Sequence, residues 1–187
     1  MQRLLGIDLG TTGLKAAVFD LDGTLLGLGR ATNEYVPGPP GWAEQDPQTW
    51  WSGCCAAVRQ AMSSAGATTG EVAAVGVCGF HHCPVFLDAG GAPVRPTIVT
   101  HDSRLGGCLR DLQASGILDE LINVSGRRVT TGHFPPIYHL IKTQDPQSLD
   151  ETRWILLAKD YVRYRLTGRI GTEICDATGT NLIAMPQ

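Results

Sequence analysis

Residues able to do chemistry appear within the first dozen positions: Gly6-Ile7-Asp8-Leu9-Gly10-Thr11-Thr12-Gly13, followed closely by Lys15. One carboxylate, two hydroxyls and the glycines at 10 and 13 suit, at this spacing, a phosphate chain and its metal. Gly10 and Gly13 let the backbone approach a ligand closely, so that successive N–H groups form an anion-binding concavity which Thr11 and Thr12 extend as hydroxyl donors. Asp8, at the end of an apolar run, would hold Mg²⁺ directly or through water, because this hard ion is usually bound by one or two carboxylates together with substrate phosphates. The competing reading of so short a motif is an ordinary turn capped by Asp8.

Positioning this loop requires two strands, and the flanking apolar runs supply them. Leu4–Leu9 and Leu14–Phe19 form a hairpin, and a third strand beginning near Leu25 completes an antiparallel meander over roughly residues 4–31. The turn between the second and third strands carries Asp20-Leu21-Asp22-Gly23-Thr24, which offers a second chemistry. An apolar strand ending in this pattern looks like the nucleophile motif of haloacid-dehalogenase-type phosphatases, with Asp20 attacking phosphorus and Asp22 as acid/base. Against it stand Asp22-Gly23 as a preferred turn dipeptide and the absence of an acidic pair after a later apolar strand.

Beyond a Pro/Gly-rich loop ending in Gly41-Trp42-Ala43-Glu44-Gln45-Asp46-Pro47, Asp46 and Pro47 supply a cap and first position for a helix over Gln48–Ala65. Strands are expected at Val72–Cys78, Pro84–Leu87, Thr97–Thr100 and Trp154–Leu157, and helices at Leu105–Ala114, Leu118–Val124, Pro136–Thr143 and Lys159–Leu166, the last stopped by Gly168. Lys159 and Asp160 read as anchors of that helix start rather than as chemical groups.

Composition narrows the classes. The 187 residues are 43% hydrophobic and 18% charged with a formal net charge of −3, which describes a globular domain with no basic footprint for nucleic acid. No apolar run approaches a membrane span, and a charge comes too early for a signal peptide, so a cytoplasmic protein is expected. The six cysteines, at 54, 55, 78, 83, 108 and 175, then read as free thiols. Cys78-Gly79-Phe80-His81-His82-Cys83 resembles half a zinc site, but no second pair follows at usable spacing.

Taken together, the opening meander, the helix and the D-x-G-T-T loop resemble the ribonuclease-H-like lobe of the actin/hexokinase/heat-shock ATPase superfamily, an α/β fold with a mixed central sheet flanked by helices. Four later segments single out one branch: Gly41–Pro47 with Trp50-Trp51; the strand end Gly76-Val77-Cys78-Gly79; Arg95-Pro96-Thr97-Ile98 leading to Asp102-Ser103-Arg104; and Leu157–Gly168 with Asp176-Ala177-Thr178-Gly179-Thr180. These resemble the FGGY carbohydrate kinases, closest to the xylulokinase-like branch, over nearly the whole chain.

The resemblance implies an ATP- and Mg²⁺-dependent phosphorylation of a sugar or polyol of the pentulose class, in a cleft between two lobes. It implies that Asp8 lies beside the metal and the transferred phosphate, that Gly10, Thr11, Thr12 and Lys15 lie by the phosphates, and that His81, His82 and Asp102 face the sugar. This sequence departs from the xylulokinase pattern at Phe80, His81, Thr100 and His101, where Gln, Met, Trp and Asn are usual, which alters the floor and wall of the sugar pocket. Residues 1–187 are accordingly expected to form the N-terminal, substrate-side lobe. The general base, an Asp in a later glycine-rich turn, and the C-terminal nucleotide-side lobe are expected outside this chain, leaving the isolated lobe inactive; an apolar patch where that lobe would dock, which the sequence leaves open, would favour a homodimer. The alternative from another class is a non-catalytic sugar-binding or regulatory module.

Overall fold

A computed structural model describes residues 1–184. The meander is formed by β1 (Arg3–Leu9), β2 (Gly13–Phe19) and β3 (Leu25–Thr32), and the next elements are β4 (Glu44–Gln45), α1 (Pro47–Ser64), β5 (Val72–Gly79), β6 (Pro84–Leu87) and β7 (Thr97–Ile98). There follow α2 (Leu105–Ala114), α3 (Ile117–Ser125), α4 (Phe134–Gln144), α5 (Pro146–Glu151), β8 (Trp154–Leu157), α6 (Ala158–Thr167) and α7 (Ile174–Ala177). The main sheet has the order β3-β2-β1-β5, antiparallel within the meander and parallel between β1 and β5. This is the mixed sheet expected for a ribonuclease-H-like lobe.

Strand alternation decides which face is covered. Leu5, Ile7 and Leu9 of β1 and Leu14, Ala16 and Val18 of β2 all point to one face and are buried there. Helix α1 crosses this face, with Trp50, Cys54, Ala57 and Ala61 buried against it. The backbones come very close, because a Cβ at Gly29 would lie 1.9 Å from the carbonyl oxygen of Ala57 and one at Gly27 2.3 Å from that of Ala61. Glycine is thus required in β3 for helix–sheet contact. Trp50 is fully buried, and a side chain of this kind contributes roughly 1.5–3 kcal/mol by burial. On the opposite face Gly6, Ala17 and Gly76 floor an apolar trough of about 510 Å³, bordered by Phe19 and Leu28.

Most expected elements are present. Helix α4 begins two residues before the expected Pro136, since prolines in a first turn lose no hydrogen bond they would otherwise make. Helix α5 was not expected, although Asp145-Pro146 repeats the Asp46-Pro47 start. The strand expected over Thr97–Thr100 is confined to Thr97–Ile98, paired with β4.

Candidate active site

Parallel pairing of β1 and β5 brings their C-terminal ends together, with Asp8 opposite Cys78 and Leu9 opposite Gly79. The backbone N–H of Phe80 then donates to the carbonyl of Leu9 at 2.9 Å. The loop Gly10–Thr12 and the turn Phe80–Cys83 therefore leave the sheet side by side.

The first loop is held through its carbonyl groups. Asn33 Nδ2 donates to the Gly10 carbonyl at 2.8 Å, Gln45 Nε2 to that of Thr11 at 2.9 Å, and the Asn33 backbone N–H to that of Thr12 at 3.2 Å. In trans peptides the N–H groups of Thr11, Thr12 and Gly13 then point the opposite way, away from these anchors. Gln45 is fixed in turn by Trp50 Nε1, which donates to its Oε1 at 2.9 Å inside the core. Sequence reading did not find Asn33 or Gln45 as anchors, although Gln45 lies within the Gly41–Pro47 segment it singled out.

Asp8 projects on the face away from α1, and its side chain is 49% exposed. Lys15 Nζ stands 3.9 Å from Oδ2, and the Cys78 thiol donates to Oδ1 at 3.6 Å. One accessible carboxylate beside outward amides and the Thr11 and Thr12 hydroxyls fits a metal that keeps most of its shell as water and phosphate oxygen. No group of three metal-ligating side chains occurs among the described residues. In the Cys78–Cys83 segment, burial pushes the Cys83 thiol up to about 12, leaving a neutral and poor ligand.

The second turn is strained. His82 has φ +63°, a left-handed conformation that costs roughly 1–3 kcal/mol for a residue other than glycine. Its ring lies between two partners distant in sequence. The His133 ring has its centroid 4.6 Å away, and on another side a Cβ at Gly179 would sit 2.3 Å from His82 Cε1. Burial holds both imidazoles below the usual histidine range, assisted at His82 by the neighbouring His133 and at His133 by Arg127. His82 Nδ1 is buried without a partner among the described residues. His81 is largely exposed, and its Nδ1 stands 3.8 Å from Oδ1 of the buried Asp176.

Asp176 and Gly179 are brought here by a bonded strap. Glu173 caps α7 by accepting from the N–H groups of Cys175 and Asp176. Lys159, at the start of α6, reaches Asp160, Glu173 and Asp176 at 3.0, 3.2 and 3.3 Å. Burial alone would lower the Lys159 pKa, but these carboxylates outweigh it and raise it. Lys159 thus ties the strap to α6, rather than only anchoring the start of its own helix as expected. Farther along the strap, Arg127 Nη1 donates to Thr178 Oγ1 at 3.0 Å, and Asn181 Nδ2 donates to the Arg127 carbonyl at 3.1 Å.

Asp102 corrects an expectation. Its carboxylate is buried and accepts from Ala43 N–H at 2.7 Å, Arg104 N–H at 2.9 Å, Arg104 Nε at 2.9 Å and an Arg104 terminal nitrogen at 2.6 Å. Burial would raise its pKa, but the Arg104 side chain and the two backbone amides outweigh that and hold it low. With its acceptor positions filled, Asp102 fixes the Gly41–Pro47 segment and has no position left for a sugar hydroxyl. Arg104 also bonds Glu44 at 2.6 Å and stacks on Trp42 at 3.8 Å.

Asp20 and Asp22 correct the phosphatase reading. Asp20 Oδ1 accepts from the N–H groups of Asp22 and Thr24 at 3.0 and 2.8 Å, closing a turn in which Gly23 has φ +86°. This turn lies beyond Phe19, which pairs with Leu4, at the opposite end of the sheet from Asp8.

Known proteins are similar to this chain in sequence and in fold. The chain is 28% identical over 184 residues to the L-xylulose/3-keto-L-gulonate kinase of Escherichia coli, covering 98% of this chain and 37% of that protein. It is 30% identical over 184 residues to the xylulose kinase of Bacillus subtilis, covering 98% and 36%. A crystal structure described as a xyloylose kinase from Brucella ovis superposes with a TM-score of 0.88 at 28% identity, covering 97% of this chain and 38% of that one. The chain thus spans little more than a third of the length of these proteins. Its residues 3–187 match the model of the N-terminal domain of the FGGY family of carbohydrate kinases, and the chain belongs to that family.

Proposed function

We propose that this chain is the N-terminal, substrate-side lobe of an ATP-dependent kinase acting on a sugar or polyol of the pentulose class, in a cytoplasmic setting. The observation that carries the reading is the Phe80 N–H to Leu9 carbonyl bond, which sets a phosphate-type loop and a histidine turn at neighbouring strand ends. In this reading Asp8 holds Mg²⁺, the amides and hydroxyls of Thr11 and Thr12 with Lys15 and the Gly10 turn receive phosphate oxygens, and His82 with His81 hydrogen-bonds sugar hydroxyls. When bound, the metal neutralises charge on the phosphoryl group in transfer, a reaction that depends mostly on positioning and electrostatics. No residue of this chain is assigned as general base. Asp8, serving the metal, is ill placed to take the sugar proton.

Names of the relatives define the panel. Calorimetric titration of this chain with D-xylulose, L-xylulose and 3-keto-L-gulonate should give saturable binding of a ketose that is lost in His82→Ala. ADP release should follow only in a form carrying a C-terminal nucleotide-side lobe. Saturable ketose binding with no transfer in a two-lobed form would instead favour a sugar-binding module. Absence of binding across the panel would contradict the substrate assignment.

A further inference from the structure

Among the described residues neither ring nitrogen of His82 bonds a protein partner, yet its ring is tightly confined. Its Nδ1 is buried and orphaned, and lies on the side of the ring facing Gly179, where an added Cβ would approach it to 2.7 Å. A proton placed there would be a buried donor without an acceptor, so the economical neutral form carries its proton on Nε2. Confinement from the other side comes from His133, whose own position is over-determined. His133 N–H donates to the Thr130 carbonyl at 3.1 Å, and its Nδ1 accepts from the Thr130 N–H at 3.3 Å. That second bond requires Nδ1 to be the unprotonated nitrogen of His133. His133 is also the cap residue from which α4 starts, so its ring is fixed to a rigid element rather than to a free loop.

We propose that His133 is a positioning residue for His82, packing its ring into one orientation and one neutral tautomer so that Nε2–H remains as the donor offered to a substrate hydroxyl. The proposal rests on the assignment of His82 to the sugar made above. The charged and titratable groups around His82 act in both directions. Asp176, from α7, favours a proton on the ring, whereas His81 in the same turn and Arg127 and His133 from the segment before α4 oppose it. Burial is the largest influence and opposes protonation as well. Lys159 offsets part of the Asp176 charge by pairing with its other oxygen. His133 differs from these groups in supplying both bulk and an imidazole, and two substitutions separate the contributions.

The test uses the 187-residue chain, with long-range ¹H–¹⁵N spectra of the histidine rings recorded across pH 5–8 and calorimetric titration with the ketose that the panel identifies. In the unmodified protein His82 should show the Nε2–H tautomer and titrate below the free-histidine range. His133→Phe keeps a ring against His82 and removes the second titratable group, so the tautomer should persist while the His82 pKa rises. His133→Ala removes the packing surface, so His82 should show mixed tautomers, and ketose binding should weaken by about tenfold, as expected for loss of one well-oriented hydrogen bond. An unchanged His82 tautomer and pKa in His133→Ala, with native circular dichroism, would overturn the positioning role. If His133→Ala does not fold, His133→Val decides in its place: an unchanged single Nε2–H tautomer of His82 in that variant overturns the proposal. His82→Ala separates the two claims, since ketose binding that survives it refutes the sugar assignment, whereas the tautomer result in the His133 variants stands independently.

Discussion

The two loops that leave the ends of β1 and β5 are built in opposite ways. Gly10–Thr12 is an open loop held from behind through its carbonyls, which turns N–H groups and hydroxyls outward. Phe80–Cys83 is a strained turn whose His82 ring is confined from outside by His133 and Gly179. The contrast follows from what each would recognise. A polyanion is gathered by many similar donors and tolerates a generic cradle, whereas hydroxyl patterns are told apart only by donors fixed in direction and protonation state.

The contrast can be broken most forcefully at Asp8. In a two-lobed form, Asp8→Asn should reduce phosphoryl transfer by about 10²- to 10³-fold, comparable with removal of a major electrostatic stabiliser, while calorimetric sugar binding by this chain stays unchanged. Loss of sugar binding in this variant would show that the two loops are not separable.

Next in size is Gly179→Ala, which presses a methyl group into the His82 ring. Denaturant unfolding should show a loss of roughly 1–3 kcal/mol from overpacking, with ketose binding abolished, because either the ring or the strap must move. Phosphate binding at Gly10–Thr12 should survive.

Gln45→Ala reverses the pattern. It leaves the Thr11 carbonyl and the Trp50 indole N–H unpaired, and denaturant unfolding should report a cost of roughly 1–3 kcal/mol. Weaker pyrophosphate binding and normal sugar binding should accompany it.

A smaller effect is set by pH. His82 and His133 have folded pKa values below the ordinary 6.5, so between the folded value and 6.5 the unfolded chain binds more protons. Stability from these groups is therefore complete above pH 6.5 and is lost as pH falls through that window. Melting temperature should drop from pH 7.5 to 5.5, and His133→Phe should reduce the drop.

Smallest of all is Asp22→Ala, in the turn at the far end of the sheet. It should leave stability within about 0.5 kcal/mol and leave both loops unaffected.

These differences also explain what could be read from sequence. The β1 and β2 runs and the Gly10–Thr12 loop are contiguous, so alternation and glycine placement made the local fold legible and suggested the chemistry proposed for the loop. His82 was singled out through the family resemblance of its turn, since a lone histidine after a strand carries no such signal by itself. Asp102 was misread for a physical reason: a carboxylate at a strand end looks available until the distant Ala43 amide and Arg104 fill it. Asp176 and Gly179 belonged to a recognised segment, but their contact with the histidine turn spans about a hundred residues of chain. His133 carried no signal, because its role arises only when α4 packs beside the turn.

The account stands most directly on backbone amide spectra of this chain titrated with Mg²⁺-pyrophosphate and with the ketose, separately and then together. It predicts shifts at residues 10–13 for the first ligand, shifts at residues 80–83 for the second, and simultaneous occupancy of both. Shifts confined to other regions, or mutual exclusion of the two ligands, would contradict the claim that neighbouring strand ends divide phosphate and sugar between them.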